Sequence, residues 1–311
     1  MEPRLLKGIR TAFVSMGCPC ELQLFAADEA EARRVAGLAV AEVARLDAKY
    51  TTYRDDSFLA EINRAAASGG CIDADAETAR LLDYADACHR ESGGLFDVTA
   101  GVLRAAWRCE KGALPHAAEL EALCAKVGWH RVAWRAPRLA FPLAGMQLDF
   151  GGVVKEYAAD RVVALCRAEG VHGGLVNLGG DLAIVGPRPD GEPWKVGIRD
   201  PRSRDALAAL VELDSGALAS SGDYERCVMI DGVRYGHILD PRTGWPVRHL
   251  ASVSVVADLC IVAGSASTIA MLRQEEGPAW LDEMGVPHHW IDVDGRSGGT
   301  LAEAPEPPSS R

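Results

Sequence analysis

The chain has 311 residues, is 48% hydrophobic and 25% charged, and carries a formal net charge of −11. That length is enough for a well-buried core in one large domain or two intimate subdomains, and the composition is that of a soluble globular protein. The acidity argues against nucleic acid as a partner, because phosphate backbones are met by basic surfaces, yet it leaves room for a local phosphate pocket. No run of about 20 apolar residues is present, so no membrane insertion is expected. Residues 1–16 scatter Glu2, Arg4, Lys7 and Arg10 and have no apolar core of an export signal, which points to a cytoplasmic protein. Nine cysteines without a CxxC pair read as reduced thiols. Cys18 and Cys20 form a CxC that suits either metal or redox chemistry, or simple core and loop thiols.

In chain order, Asp28 caps a helix whose apolar positions Val35, Leu38, Ala39, Val43 and Leu46 recur at helical spacing and which ends near Tyr50. A second helix starts at Asp75, turns Leu81, Leu82, Ala85 and Cys88 inward, and stops at Gly93-Gly94. A third covers 117–127 before Gly128, and short strands are expected at 131–135, 138–141 and 146–150. Residues 153–169 are again helical in period (Tyr157, Ala158, Arg161, Val162, Leu165) and close at Gly170. Strands follow at 174–178, 182–185, 194–198, 207–213 and 252–256, each short, apolar and bounded by Gly, Pro or Asp. Helices at 260–272 and 278–284 precede a last strand at 290–293. The Pro-, Ser- and Glu-bearing tail 302–311 is expected to be disordered, leaving 1–301 as the folded domain. Strands and helices alternate without a βαβ rhythm, so the fold class is α+β.

The glycine-rich segments carry the chemical signal. Asp149-Phe150-Gly151-Gly152 opens a helix, where glycines let a ligand reach free N–H groups at the positive end of the dipole; the same glycines also serve a plain strand-to-helix turn. Asn177-Leu178-Gly179-Gly180-Asp181 flanks a β-turn with polar side chains aimed at one pocket. Ser221-Gly222-Asp223-Tyr224-Glu225-Arg226 is dense in polar groups after an apolar strand. In His237-Ile238-Leu239-Asp240-Pro241-Arg242-Thr243-Gly244, the imidazole is a candidate base near neutral pH, with Asp223, Asp240 and Arg242 as neighbours to orient it.

Taken together, these segments resemble the FAD:protein FMN transferase (ApbE-like) family. Met16-Gly17 resembles its early Met-Gly, and Thr52-Tyr53 with Ser57 and Asn63 resembles its (S/T)-Y-x-x-x-S…N loop. Gly93-Gly94-Leu95-Phe96-Asp97-Val98-Thr99 resembles GGxFDVT, and Asp149–Ala158 resembles DFGGIAKGYA. VNLGGD, SGDYER and HILDPRTG recur residue for residue. The resemblance implies mostly antiparallel sheets with packed helices. It also implies a reaction in which a threonine hydroxyl of an acceptor protein attacks FAD, with Mg2+ on the pyrophosphate, so that FMN is transferred and AMP leaves. By position it assigns Met16, Tyr53, Leu95, Phe96, Asp97, Gly151, Tyr157, Asn177, Gly179, Gly180, Asp181 and Ile238 to FAD. It assigns His237 and Asp223 to the reacting hydroxyl, and Lys155 to a phosphate.

The metal set implied by the resemblance is the Val154 carbonyl and an A-D-A-L-(S/A)-T-A segment. This chain keeps Ser267 and Thr268 but has Gly264 at the aspartate position, and Glu156 where a glycine usually follows the lysine. Glu156 is the candidate replacement carboxylate, with Asp258, six residues before Gly264, a weaker one; the alternative reading is a solvent-exposed helical Glu beside Lys155. Three readings follow: a transferase with a rearranged metal site, an FAD-binding homologue with weakened transfer, or a hydrolase giving FMN and AMP.

Overall fold

The computed structural model describes residues 6–107, 113–203, 206–224 and 227–301. It begins with the hairpin β1 (Lys7–Ser15) and β2 (Cys18–Ala26), then α1 (Glu29–Tyr50), α2 (Phe58–Ser68), β3 (Cys71–Asp73) and α3 (Ala76–Glu91). Next come α4 (Ala117–Cys124), β4 (Ala133–Arg135), β5 (Arg138–Ala140), α5 (Val154–Ala168), β6 (Gly173–Leu178) and β7 (Asp181–Gly186). They are followed by β8 (Trp194–Arg199), β9 (Leu207–Leu213), β10 (Ala217–Gly222), β11 (Cys227–Ile230) and β12 (Val233–Gly236). The last elements are β13 (Leu250–Ala257), α6 (Cys260–Arg273), α7 (Gly277–Met284), β14 (His288–Asp292) and β15 (Ser297–Gly299).

Eight of these strands form one antiparallel sheet in the order β1-β2-β6-β7-β10-β13-β14-β15. Side chains alternate between its faces along every strand. Val176 and Leu178, Ala183 and Val185, Ala217 and Ala219, and Val253 and Val255 join the large core that also contains the buried faces of α1, α5 and α6. The intervening Leu175, Leu182, Ile184 and Leu218 enter a second core against Trp194, Val196, Ile198 and Val211 of the β8–β9 hairpin. Because the central strands are covered on both faces, they read as continuous apolar runs in sequence. The architecture is α+β with antiparallel sheets, as expected. Among the described residues no helix is long and apolar enough to cross a membrane.

Asp28 caps α1 by accepting the Glu31 N–H at 2.8 Å, and Asp75 caps α3 through the Glu77 and Thr78 N–H groups. Leu38 does not face inward: it is 40% exposed, rotated about 100° from the buried Ala39. The expected strand at 146–150 is a correction too. That segment makes only an isolated bridge, Ala100 to Gln147, and is held by Asn63, whose side chain accepts the Leu148 N–H and donates to its carbonyl. The amide thus replaces a neighbouring strand. The third helix stops at Cys124, and the final strand begins two residues early, at His288. The expected disordered tail 302–311 lies outside the described residues.

Candidate active site

The parity that builds the core also builds the site. Asp181 and Ser221 continue the helix-facing rows of β7 and β10, so they point at α5 and α6 rather than at the β8–β9 hairpin. Asp181 is buried, accepts the Ser220 N–H at 3.0 Å through Oδ1, and pairs through Oδ2 with Lys155 at the start of α5. Lys155 Nζ also lies 3.6 Å from Glu156 Oε1. Burial by itself would depress the lysine, but the Asp181 and Glu156 charges outweigh it and hold the ammonium protonated far above its ordinary range. Burial pushes the Glu156 carboxyl up, to about 7, with Lys155 opposing and Asp181 reinforcing the shift. Across from them, Ser221 Oγ lies 2.8 Å from Ser267 Oγ and 2.9 Å from Thr268 Oγ1, while Ser267 donates to the Gly264 carbonyl. The two helices are locked in register by Asp160 of α5, whose carboxylate accepts the Cys260 and Ile261 N–H groups that open α6.

The remaining flavin candidates lie in turns and on α5 and β6. Met16 sits in the β1–β2 turn with a left-handed φ of 53°, its N–H held by Asp47 Oδ2 at 2.6 Å. The turn meets the next strand connection directly, since a Cβ on Gly179 would fall 2.7 Å from Cys18 Sγ. Asn177 Oδ1 accepts the Gly180 N–H at 2.9 Å, and beside Gly180 the space is open. Tyr53 is 88% exposed, a large aromatic face in solvent. Gly151 is exposed beside Arg104, which pairs with Asp149 at 2.6 Å. The side chain of Tyr157 is directed to Glu77 at 3.3 Å. Val154, the first residue of α5, and the side chains of Leu95 and Phe96 are buried. Asp97 is spent locally: Oδ1 accepts the Thr99 N–H and hydroxyl, and Oδ2 accepts the Trp129 N–H.

A third group of named residues follows β10 and β12. His237 is exposed just after β12, and Gly236 packs so near Asp223 that a Cβ there would be 3.2 Å from its Cα. Asp223 itself is taken by Arg202 at 3.0 Å and by Arg234 at 3.7 Å, and Asp240 by Arg242 at 2.8 Å. The turn carrying His237 is tied down by Gly244 N–H to Asp240 and by Val247 N–H to Ile238. An open cleft of about 550 Å³ is lined by Gly93, Gly94, Asp97, Pro241 and Arg242 together with His89 and His130. Glu225 and Arg226 lie outside the described residues. Among the described residues no three His, Cys, Asp or Glu side chains cluster closely enough to hold a metal by themselves. Cys18 and Cys20 are not joined in a disulfide, their sulfurs lying 3.9 Å apart.

Several participants were not picked out from sequence: Ser221, Arg202, Asp47, Asp160 and Arg104. Each is a common polar residue with no local signature, brought in by pairing across more than a score of positions; only Ser221 lay within a motif.

A sequence model of the ApbE family matches residues 16–290. A Treponema pallidum protein named FAD:protein FMN transferase is 32% identical over 253 residues, covering 72% of this chain and 70% of that protein. One of the same name from Rhodobacter capsulatus is 29% identical across 89% of this chain, which spans only 54% of that relative's length. Among solved structures, an ApbE protein from Thermotoga maritima aligns with TM-score 0.87 at 28% identity, covering 94% of this chain and 97% of its own. The apo flavinyl transferase ApbE of Pseudomonas stutzeri aligns with TM-score 0.83 at 29% identity, covering 96% and 95%.

Proposed function

The chain belongs to the ApbE family, and from that membership we propose that it transfers FMN from FAD to a threonine hydroxyl of an acceptor protein, releasing AMP. The observation that supports this reading is that the β1–β2 turn, the Gly179–Gly180 turn and the Lys155–Asp181 pair adjoin one another, a Cβ on Gly179 falling 2.7 Å from Cys18 Sγ and 3.8 Å from Lys155 Cδ. In the proposed complex, the exposed ring of Tyr53 stacks on a ring of FAD, the backbone at 95–97 and the Met16 turn hold it, and the open flank of Gly180 admits the phosphates. The threonine oxygen attacks the FMN-side phosphorus, the bond from phosphorus to the AMP oxygen breaks, and AMP leaves with that oxygen. His237, exposed at the rim, accepts the threonine proton. Asp223, braced by two arginines, keeps this edge of the site rigid. Lys155 acts through Asp181, not as a free phosphate ligand, because its charge is already shared by two carboxylates.

The donors this reading offers a cation are oxygens: the Val154 carbonyl, the hydroxyls of Ser267 and Thr268, and one carboxylate oxygen of Glu156 that has no hydrogen-bond partner among the described residues. Such a set fits Mg2+, a hard ion that binds through few protein oxygens together with phosphates and water. Bound there, Mg2+ would supply positive charge to the pyrophosphate oxygens.

The test is to incubate the protein with FAD and an acceptor domain carrying a threonine motif, with and without Mg2+, following AMP release and covalent flavin together. Mg2+-dependent AMP with flavin on threonine is expected. AMP without labelled acceptor would make the protein a hydrolase, and bound FAD with neither product would make it a flavin-binding relative.

A further inference from the structure

Two buried helices meet at one point with an unusual division of space. Gly264 lies on the α6 surface that faces α5, and the side chain it faces is Glu156. A Cβ built on Gly264 would stand 3.1 Å from Glu156 Cδ and 3.3 Å from its Oε1, and closer still to Cγ. Those separations are well inside carbon–carbon contact, so the interface has room for one side chain at this spot and Glu156 fills it. Its side chain is 9% exposed. Oε1 is turned toward Lys155, and Oε2 is buried with no partner among the described residues. A buried carboxylate oxygen left unpaired costs free energy that a fold normally avoids. One turn further along α6, Ser267 donates to the Gly264 carbonyl at 2.9 Å, and its hydroxyl and that of Thr268 are gathered by Ser221.

We propose that Glu156 is the carboxylate this chain presents to the divalent cation, supplied from α5 into the space that Gly264 leaves open on α6. The inference rests on the transferase reading for its choice of Mg2+, and on the geometry for its choice of residue. The resemblance leads one to expect an aspartate at position 264 and a glycine at 156. Here the two are exchanged across the helix pair, so a carboxylate is kept at the interface while its helix of origin changes. The longer glutamate side chain makes up for reaching from the opposite helix. The exchange is coupled by sterics, because a side chain at 264 would meet Glu156 and need it to move aside. It also keeps the charge count, since Asp181 and one further carboxylate share Lys155, and a third would bring uncompensated repulsion.

The experiment measures cation binding directly, by paramagnetic-resonance titration of Mn2+ and by calorimetry with Mg2+, on the intact protein with and without FAD. Three variants are compared: Glu156→Gln, Gly264→Asp, and the exchange Glu156→Gly with Gly264→Asp. Glu156→Gln keeps volume and removes charge, so it should weaken cation affinity by at least about tenfold while FAD binding measured without metal is unchanged. Gly264→Asp alone should lower the melting temperature, because its Cβ has no room. The exchange variant should recover both the melting temperature and the cation affinity. Wild-type affinity in Glu156→Gln, or no cation binding by the wild type with FAD present, overturns the proposal. If Glu156→Gln fails to fold, the exchange variant decides: folded but without cation affinity, it refutes the swap. The transferase reading fails separately, through normal cation and FAD binding with no AMP or labelled acceptor.

Discussion

Replacing Lys155 with methionine tests the centre of the site. Its ammonium is in contact with Asp181 and lies 3.6 Å from Glu156 Oε1, and both carboxylates are buried. At an effective dielectric constant of about 20, a pair about 4 Å apart attracts by about 4 kcal/mol. Most of that attraction offsets the cost of taking the three groups out of water. Removing the shared cation therefore does more than delete an attraction: it strands the Asp181 carboxylate while Glu156, already pushed up, takes a proton, and breaking such a buried pair costs about 3–5 kcal/mol. The lysine side chain remains 25% exposed, so water reaches the stranded charge and the lower end, about 3 kcal/mol, is expected. The assay is equilibrium urea unfolding near pH 7.5 of wild type, Lys155→Met, Asp181→Asn and the double variant. The double variant should lose less than the sum of the singles, with a coupling of about 1–3 kcal/mol. If Lys155→Met loses under about 1 kcal/mol yet FAD affinity collapses, the lysine is held in reserve for a phosphate and the ion-pair account is wrong.

Two further outcomes follow from named contacts. Glu77 of α3 accepts from Arg45 and Lys49 of α1 and from Tyr157 of α5, and Arg45 chiefly holds its carboxyl down at about 2. A depressed carboxylate stabilises above the ordinary value of 4.5 and loses that contribution as pH falls from there toward 2. Glu77→Gln should thus cost about 1–2 kcal/mol at pH 7 after allowance for solvent screening. The gap should narrow in thermal melts near pH 3, and a gap of the same size there would contradict the assignment. Tyr53, at 88% exposed, makes almost no contribution to the core. Tyr53→Ala should leave the melting temperature in place and weaken FAD binding by about 1–3 kcal/mol of lost stacking, read by flavin fluorescence quenching; an unchanged affinity removes Tyr53 from the flavin site.

Sequence by itself determined what depends on local pattern. The 3.6-residue stripe of Val35, Ala39, Val43 and Leu46 and the Asp28 cap were enough for α1, and the apolar runs 174–178 and 182–185 for β6 and β7, because each element is buried along a regular face. The glycine-rich turns were legible as a set because steep turns leave few residue choices, and their order along the chain pointed to the family. The 146–150 segment was misread for the opposite reason: its apolar alternation was genuine, but its backbone partner is the side chain of Asn63, 85 positions away from Leu148 in the chain.

What only the tertiary structure decided was which groups share a charge or a space. Lys155 reads as a free cation until the sheet order sets β7 beneath α5 and brings Asp181 onto its ammonium. Asp223 reads as a partner for His237 until Arg202 arrives from the loop between β8 and β9. Gly264 reads as a missing carboxylate until Asp160, capping α6 from α5, fixes the register that puts Glu156 into the vacant volume. Sequence separations of 26 residues from Lys155 to Asp181 and 100 from Asp160 to Cys260 leave no local trace. Only folding, by bringing those positions within a few ångströms, makes them one site.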